Sequence, residues 1–241
     1  MNKIETIPLE NLVYILIPVL IVVFIIAKWK LNTGHAIYAM VRMLVQLLAI
    51  GYFLNAIFAS DSAQITVTIL TVMLLFSSWI ALNTVKQQRK QWFAKATLSL
   101  AIACSLTLSI IVAAVLELTP WYEPRYIIPL GGMILANSMN SISLAAERFQ
   151  AEIKSDRDYL RARNIAFNAS LIPTINMLFA VGLVSLPGMM TGQILSGISP
   201  FIAARYQIMV MCMLFSSSGI TVACFLTLIK SRENTQPSAT D

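Results

Sequence analysis

Seven apolar stretches divide this chain, and each is close to the length that a helix needs to cross a bilayer. They cover residues 11–27, 36–59, 63–85, 96–118, 126–146, 165–186 and 204–229. About 20 helical residues span the ~30 Å hydrocarbon core of a membrane. Backbone groups in lipid must pair within their own segment, which favours helices. The sequence therefore predicts an all-α integral membrane protein with about seven transmembrane helices.

Composition and charge support the same fold class. Hydrophobic residues make up 58% of the chain and charged residues 12%, whereas soluble domains carry about 25% charged residues. The net charge of +6 lies in the connections between apolar stretches, where it orients helices rather than binds nucleic acid. The odd number of cysteines, without CxxC spacing, argues against a disulfide framework and against a zinc site.

The distribution of Lys and Arg predicts the orientation. Alternate connections hold 13 of these residues on one side and three on the other. The positive-inside rule places the rich side in the cytoplasm, so the N-terminus lies outside, the C-terminus inside, and the number of spans is odd. We expect one multi-pass domain over residues 1–230 in the plasma membrane, which is the inner membrane of a Gram-negative cell. Residues 231–241 are predicted to be a short disordered cytoplasmic tail.

Two connections have unusual compositions. Residues 147–163 carry charges of both signs at helical spacing without Pro or Gly, which predicts a helix or helical hairpin, with a solvated linker as the alternative. Residues 186–200 are apolar and rich in Pro and Gly. Two interpretations of that segment stay open: a re-entrant segment shielded from lipid, over residues 187–200, or an apolar turn packed on helix ends.

Enzymatic motifs are missing from the sequence. His35 is its one histidine, so neither an HExxH zinc motif nor a Ser-His-acid set can be assembled. The GxxxxGK[ST] phosphate loop is missing as well. We therefore expect a protein that is not an enzyme and binds no cofactor of its own. The 12 methionines could bind soft metals but are interpreted as core filling.

Polar residues inside the spans are candidates for a substrate path. Arg42 and Gln46 share one face of the second span, although Arg42 could instead reach the cytoplasmic headgroups. Spans five and six each carry a proline that removes a backbone hydrogen bond close to asparagines. Spans two, five and six could line a path, or the asparagines could hold a kinked helix pair together. The candidate path residues are Arg42, Gln46, Asn137, Asn140 and Asn176.

Several motifs together resemble a known family. They lie at residues 42–47, 51–52, 129–133, 137–139, 172–176, 182–195, 197, 200, 203 and 206–208. The run GLVSLPGMMTGQIL at 182–195 is the longest and most specific of them. The chain resembles the FetB-like permeases of iron-export ABC transporters, a family that also includes plant aluminium-tolerance transmembrane subunits. The resemblance covers residues 41–229, which is most of the chain.

This resemblance implies a function and partners. The chain would be a permease subunit, forming a homodimer, that exports iron or another metal and depends on a separate ATPase subunit to use ATP. Alternating access would be driven through the cytoplasmic connection, with candidate coupling residues Glu147, Arg157, Arg161 and Arg163. The outer connection would act as a gate, with candidate residues Pro187, Gly188, Met189, Met190, Gly192 and Gln193. Ligands for a metal stay unassigned, because the sequence holds no metal-ligand cluster.

One departure from the family bears on coupling. Family members carry a longer cytoplasmic segment before the Pro-Thr motif, with a Leu-Gly-Ala-Thr stretch that resembles ABC coupling loops. Here Asn164 runs directly into Ile165, so a dozen or more residues are missing and coupling to an ATPase is in doubt. Two alternative functions therefore stay open. One is a secondary transporter or channel, and the other is a non-transporting membrane subunit that has lost its coupling loop.

Overall fold

The computed structural model describes residues 8–58, 62–155 and 158–230, and the regular structure in these ranges is helical apart from one isolated bridge between Val181 and Ser185. A 3-10 turn at Val13–Ile15 joins the first two helices, and a π-helical turn at Ile111–Val115 extends the fifth. The helices are α1 (Leu9–Leu12), α2 (Leu16–Lys28), α3 (Thr33–Phe58), α4 (Ala63–Ala81), α5 (Arg89–Ile110), α6 (Pro124–Lys154), α7 (Tyr159–Ala180), α8 (Gly188–Leu195) and α9 (Pro200–Lys230).

The chain divides into two compact units. The first comprises Met1–Ser60 and Leu195–Gly197, and the second comprises Asp61–Ile194 and Ile198–Asp241. Within the first unit, α2 and α3 form a hairpin whose turn places Lys30 at a positive φ of 57°. The side chain of Asn32 then accepts a hydrogen bond from the backbone N–H of His35 at 3.0 Å. That bond satisfies one of the free N–H groups at the start of α3.

The second unit is built around α6, which packs against α4, α5, α7 and α9. Its core includes the fully buried side chains of Leu100, Ile134 and Ile142. Towards the end of α6, Trp92 packs edge-on against Phe149 and Phe225 with ring centres 6.4 and 5.8 Å apart. These aromatic contacts join α5, α6 and α9 at one end of the unit.

The helices confirm an all-α integral membrane protein. Six described helical segments are long and apolar enough to cross a bilayer: Glu10–Lys28, Thr33–Phe53, Ala63–Ala81, Arg89–Val115, Pro124–Lys154 and Pro200–Lys230. The sixth predicted span, residues 165–186, corresponds to α7. At 22 residues α7 is about 33 Å long, but its polar first turns leave it outside that set. The crossing by α7 and the orientation of the chain stay predictions.

The connection that is predicted to be cytoplasmic is formed largely by the ends of α6 and α7. Helix α6 continues through charged residues to Lys154, beyond the end of its apolar stretch. One stripe along this part of the helix stays apolar and includes the buried Phe149. The side chain of Asp158 accepts a hydrogen bond from Leu160 N–H at 3.3 Å and caps α7. The predicted helical structure is therefore present up to Lys154 and from Tyr159 onwards, and the solvated linker is wrong. Arg157 lies outside the described residues, as do residues 231–241 of the predicted tail.

Residues 181–199 contain a turn and a short helix. Gly182 has a φ of +82°, and its N–H donates to the carbonyl of Ser185 at 3.0 Å, which closes the turn after α7. Left-handed backbone of this kind favours glycine. The eight-residue helix α8 follows, and α9 begins at Pro200. Both interpretations of this segment are compatible with a short helix, so its re-entrant placement stays a prediction.

Candidate functional site

A cavity of about 450 Å³ lies in the second unit, where side chains of α6, α8 and α9 converge. Ligand sites in proteins usually have volumes of ~300–1,000 Å³, so this space suits a small organic molecule. Leu116, beyond the π-helical turn, and Ile198, before α9, contribute to its walls. The cavity is therefore lined by residues that are far apart in the sequence.

Helix α6 supplies one wall. Arg125, Pro129 and Met133 are spaced by four residues, so they follow one face of the helix. Gly131 faces α4, where a Cβ atom would meet a side-chain carbon of Leu70 at 2.5 Å. The missing side chain lets α4 approach α6 on the face away from the cavity. Pro129 has no N–H to donate to the carbonyl of Arg125, so the helix backbone is opened at this wall.

Helices α8 and α9 supply the opposite walls. Met189 and Gln193 are one turn apart on α8, and Tyr206 and Met209 are nearly one turn apart on α9. The amide oxygen of Gln193 is buried and has no hydrogen-bond partner among the described residues. A buried acceptor without a donor is costly, so this oxygen is available to a ligand.

The charge of the cavity is positive. Arg125 is the one ionised side chain among the lining residues, which include no carboxylate. Within the described part of the chain, its guanidinium is in no ion pair or hydrogen bond. Apart from the amide of Gln193, the remaining lining residues are apolar or aromatic. The cavity therefore has a single positive charge at an otherwise apolar surface.

Two residues of the predicted outer gate lie at this cavity, namely Met189 and Gln193. The other four lie within α8 or directly before it and do not line the cavity. The carbonyl of Pro187 accepts the N–H of Thr191 at 3.0 Å, and Gly188 is the first residue of the helix. Met190 is half-buried and Gly192 is exposed. The predicted segment therefore reaches the cavity through only one face of its helix, and its action as a gate stays a prediction.

The residues that line this cavity include none of the predicted path residues. Asn137 Nδ2 donates to the carbonyl of Leu214 at 3.1 Å and to Ser218 Oγ at 2.6 Å, which ties α6 to α9. The side chains of Asn140 and Asn176 are exposed. Within the first unit, Arg42 is half-buried and Gln46 is exposed. A path shared by all five residues stays a prediction.

A metal site formed by several ligands is not found in the described part of the chain. Among those residues, no group of three or more His, Cys, Asp or Glu side chains could hold a metal ion. Two groups of methionines differ in position. Met211 and Met213 are buried in the core, as expected for core filling, whereas Met133, Met189 and Met209 line the cavity. Sequence reasoning singled out Met189 from this second group, but it missed Met133 and Met209, and also Arg125 and Tyr206, as lining residues. The four-residue spacing of Arg125, Pro129 and Met133 was the available signal.

The charged end of the second unit is held together by side-chain hydrogen bonds. Arg89 donates from Nε and Nη2 to the carbonyl of Trp79 at 3.1 and 2.6 Å, and its guanidinium lies 3.6 Å from the centre of the Trp79 ring. Gln150 Nε2 donates to Gln88 Oε1 at 2.7 Å. These bonds connect the end of α4, the start of α5 and the end of α6.

The start of α7 is attached to the same end. The Tyr159 hydroxyl donates to the carbonyl of Leu226 at 2.9 Å, and Lys230 Nζ lies 5.1 Å from the Tyr159 ring centre. We call the bonded set of Arg89, Gln150, Tyr159 and their partners the helix-end platform. Glu147 and Arg161 are exposed beside it, and the Arg163 guanidinium donates to Asn164 Oδ1 at 3.0 Å. Three of the four predicted coupling residues therefore lie on described helix ends at this face.

Comparison with known proteins places the chain among membrane proteins. A family model described as "Uncharacterised protein family (UPF0014)" matches residues 9–233. The chain is 32% identical to the "Probable iron export permease protein FetB" of Escherichia coli, across 92% of this chain and 91% of that protein. It is 35% identical to a UPF0014 membrane protein of Synechocystis, across 86% and 87% of the two chains. It is 28% identical to "Protein ALUMINUM SENSITIVE 3" of Arabidopsis thaliana, across 78% and 73%. No solved structure matches the chain.

The alignments also show that this chain is shorter within the matched region. The alignment with the E. coli protein has 240 positions but covers 92% of the 241 residues, so about 18 positions have no residue here. The alignment with the Synechocystis protein has 225 positions and covers 86%, which again leaves about 18. A shortfall of this size agrees with the dozen or more residues that sequence analysis expects to be missing between α6 and α7.

Proposed function

This chain is a member of the uncharacterised family UPF0014 and is a membrane permease, and from that premise we propose that it is the membrane-spanning subunit of an ATP-driven exporter. Its ATPase would be a separate protein, and two copies of the permease would form the transport unit. Similarity to the E. coli iron export permease over nine-tenths of both chains is the observation that carries this proposal. That relative's name also makes iron or another metal the proposed cargo.

The helix-end platform, on the predicted cytoplasmic side, supports coupling to an ATPase. Nucleotide binding can drive transport only if the contacts of the ATPase differ in free energy between transport states. A docking surface must therefore be attached firmly to the helices that move. Hydrogen bonds and aromatic contacts join α4, α5, α6, α7 and α9 at this face. A force applied to the α6–α7 hairpin would be shared by these helices.

A single helix connects this face to the cavity. Arg125, at the cavity wall, and Lys154, at the hairpin, are both in α6 and are separated by roughly 44 Å of helix. Displacement of the hairpin would therefore move the cavity wall in α6 directly. Pro129 is the position at which the helix could bend, because it interrupts the hydrogen-bond ladder.

The short connection between α6 and α7 supports a second candidate function. About four residues separate the two helices, and the alignments show that the chain is shorter than its relatives. Without the longer connection, docking of an ATPase could be lost. The chain would then act as a secondary transporter or channel, or as a non-transporting subunit. One experiment separates these functions from the first.

The test is co-purification of the permease with an ATPase. We expect the tagged chain, extracted in mild detergent from its own cells, to retain a protein that carries a GxxxxGK[ST] loop. Reversing Arg157, Arg161 and Arg163 to Glu should abolish that retention, because the reversed charges would repel acidic groups on the ATPase. Arg205→Glu, at the other end of α9, is the matched control and should keep the ATPase.

Membrane insertion must be checked in the triple variant, because it removes positive-inside signals. If the wild-type chain retains no such ATPase, the second candidate function is favoured. If the triple variant retains the ATPase as well as the control does, the hairpin is not its docking site.

A further inference from the structure

The cavity between α6, α8 and α9 has an unusual charge for a metal exporter. Its one ionised group is a guanidinium, and its lining residues include no carboxylate that could neutralise a metal cation. A metal cation beside the exposed guanidinium of Arg125 would be repelled, and no lining carboxylate would offset that repulsion. Arginine instead forms paired hydrogen bonds with the oxygens of carboxylate and phosphate groups. The cavity is therefore suited to an anion.

The walls indicate the rest of the ligand. Met133, Met189 and Met209 give three flexible thioether side chains, which adapt to irregular apolar shapes. The volume of about 450 Å³ far exceeds that of an ion, since one water occupies ~30 Å³. With one positive charge and apolar walls, the best match is a ligand that has one negative charge and an apolar body.

Gln193 adds a polar requirement. Its amide oxygen is buried at the cavity and lacks a donor within the described part of the chain. Leaving such an acceptor unpaired costs ~1–3 kcal/mol, so a ligand with a hydroxyl or amine donor would be favoured over one without. Gln193 is on α8 and Arg125 is on α6, so the donor and the anionic group would occupy different parts of the ligand.

We propose that this cavity binds an amphiphilic organic monoanion that carries a hydroxyl donor. Its carboxylate or phosphate pairs with Arg125, its hydroxyl donates to Gln193, and its apolar body lies against the three methionines. This proposal deepens the proposed function and rests on it, because the bound anion is cargo only if the chain is a transporter. A metal would enter the cavity only in a complex with such an anion. Two sources share this chemistry: a soluble organic acid, and an anionic lipid headgroup such as phosphatidylglycerol.

The probe is 6-hydroxy-2-naphthoate, a fluorescent monoanion that fits the volume and places its hydroxyl opposite its carboxylate. The purified chain is placed in phosphatidylcholine nanodiscs, and empty nanodiscs correct for binding to lipid. We expect saturable binding that Arg125→Gln weakens tenfold or more, whereas Arg205→Gln changes it less than twofold. Arg205 is the matched control because it directly precedes the lining residue Tyr206 on α9. Its guanidinium stacks on Phe201, and Arg205 does not line the cavity.

The hydroxyl is tested with a second ligand. We expect 2-naphthoate, which lacks the donor, to bind wild type about fivefold more weakly. In Gln193→Leu the two ligands should bind alike, because the acceptor is gone. Competition by phosphatidylglycerol in the nanodisc would identify a lipid source for the anion, and undiminished binding would identify a soluble one.

Three results would overturn the proposal: no saturable binding at millimolar probe, equal binding by wild type and Arg125→Gln, or competition by Fe²⁺ alone at equimolar amounts. None of them bears on ATPase docking, because the binding measurement uses the permease alone. Retention of the ATPase in the co-purification experiment therefore tests the proposed function separately.

Discussion

At the scale of single residues, Asn137 shows how an intramembrane amide can hold helices together. Its Nδ2 group donates to both Leu214 and Ser218 on α9. Sequence position placed it near Pro129 and made it a candidate for a substrate path, but position does not show which atoms an amide contacts. Its hydrogen bonds indicate a structural contribution, whereas Asn140, three residues later, has an exposed side chain.

We therefore expect Asn137→Leu to lower the stability of the folded protein. The change removes two hydrogen bonds and leaves the carbonyl of Leu214 and the hydroxyl of Ser218 without this donor, at a cost of about 1–2 kcal/mol. The measurement is the thermal unfolding midpoint in detergent, followed by tryptophan fluorescence. Asn140→Leu is the control and should unfold within a degree or two of wild type. Equal midpoints for all three proteins would show that the Asn137 bonds add nothing to stability.

At the scale of the helix, α7 is the element whose placement matters most. The sequence predicts a span at 165–186, whereas α7 begins at Tyr159 and its first turns carry Arg161 and Arg163. Apolar stretches reveal which part of a helix can lie in lipid, but not where the helix begins and ends. Helices α6 and α9 also extend beyond their apolar stretches, and on α6 the buried Phe149 packs against neighbours beyond the end of that stretch.

Thiol labelling tests whether α7 crosses the membrane. In a background without Cys104, Cys212 and Cys224, single cysteines are placed at the exposed residues Ser155 and Ser185, before and after α7. We expect Ser185→Cys to react with an impermeant reagent in intact cells and Ser155→Cys only after permeabilisation. Ser62→Cys and Gln87→Cys serve as the outside and inside references for α4. If the Ser155 and Ser185 positions label from the same side, α7 does not cross and the seven-span topology is wrong.

At the scale of the whole molecule, the fold class could be read from the sequence because the bilayer imposes helix length and composition directly. The cavity could not. Its methionines have the same residue type as those in the core, and only the packing of α6, α8 and α9 separates Met133 from Met213. In the sequence, Arg125 is one of a few charges on the predicted outer side. Its contribution to the cavity depends on neighbours from two helices that are distant in the sequence. Long-range packing is the part of the structure that residue spacing does not encode.

The proposed exporter would work only together with an ATPase. The platform would receive the ATPase, and α6 would carry the movement from the hairpin to the cavity wall at Arg125. Transport should therefore depend on nucleotide hydrolysis rather than on the cargo gradient. This dependence separates the exporter from a secondary transporter or channel, whatever form the iron takes.

The most direct measurement is iron uptake by proteoliposomes that contain the permease, with the co-purified ATPase and MgATP outside. Iron is supplied as Fe²⁺ in one arm and with excess citrate in the other. We predict that iron accumulates in the lumen in at least one arm, and that accumulation stops when the lysine of the GxxxxGK[ST] loop in the ATPase is replaced. Equal accumulation without the ATPase, or no ATP-dependent accumulation in either arm, would contradict an ATP-driven iron exporter.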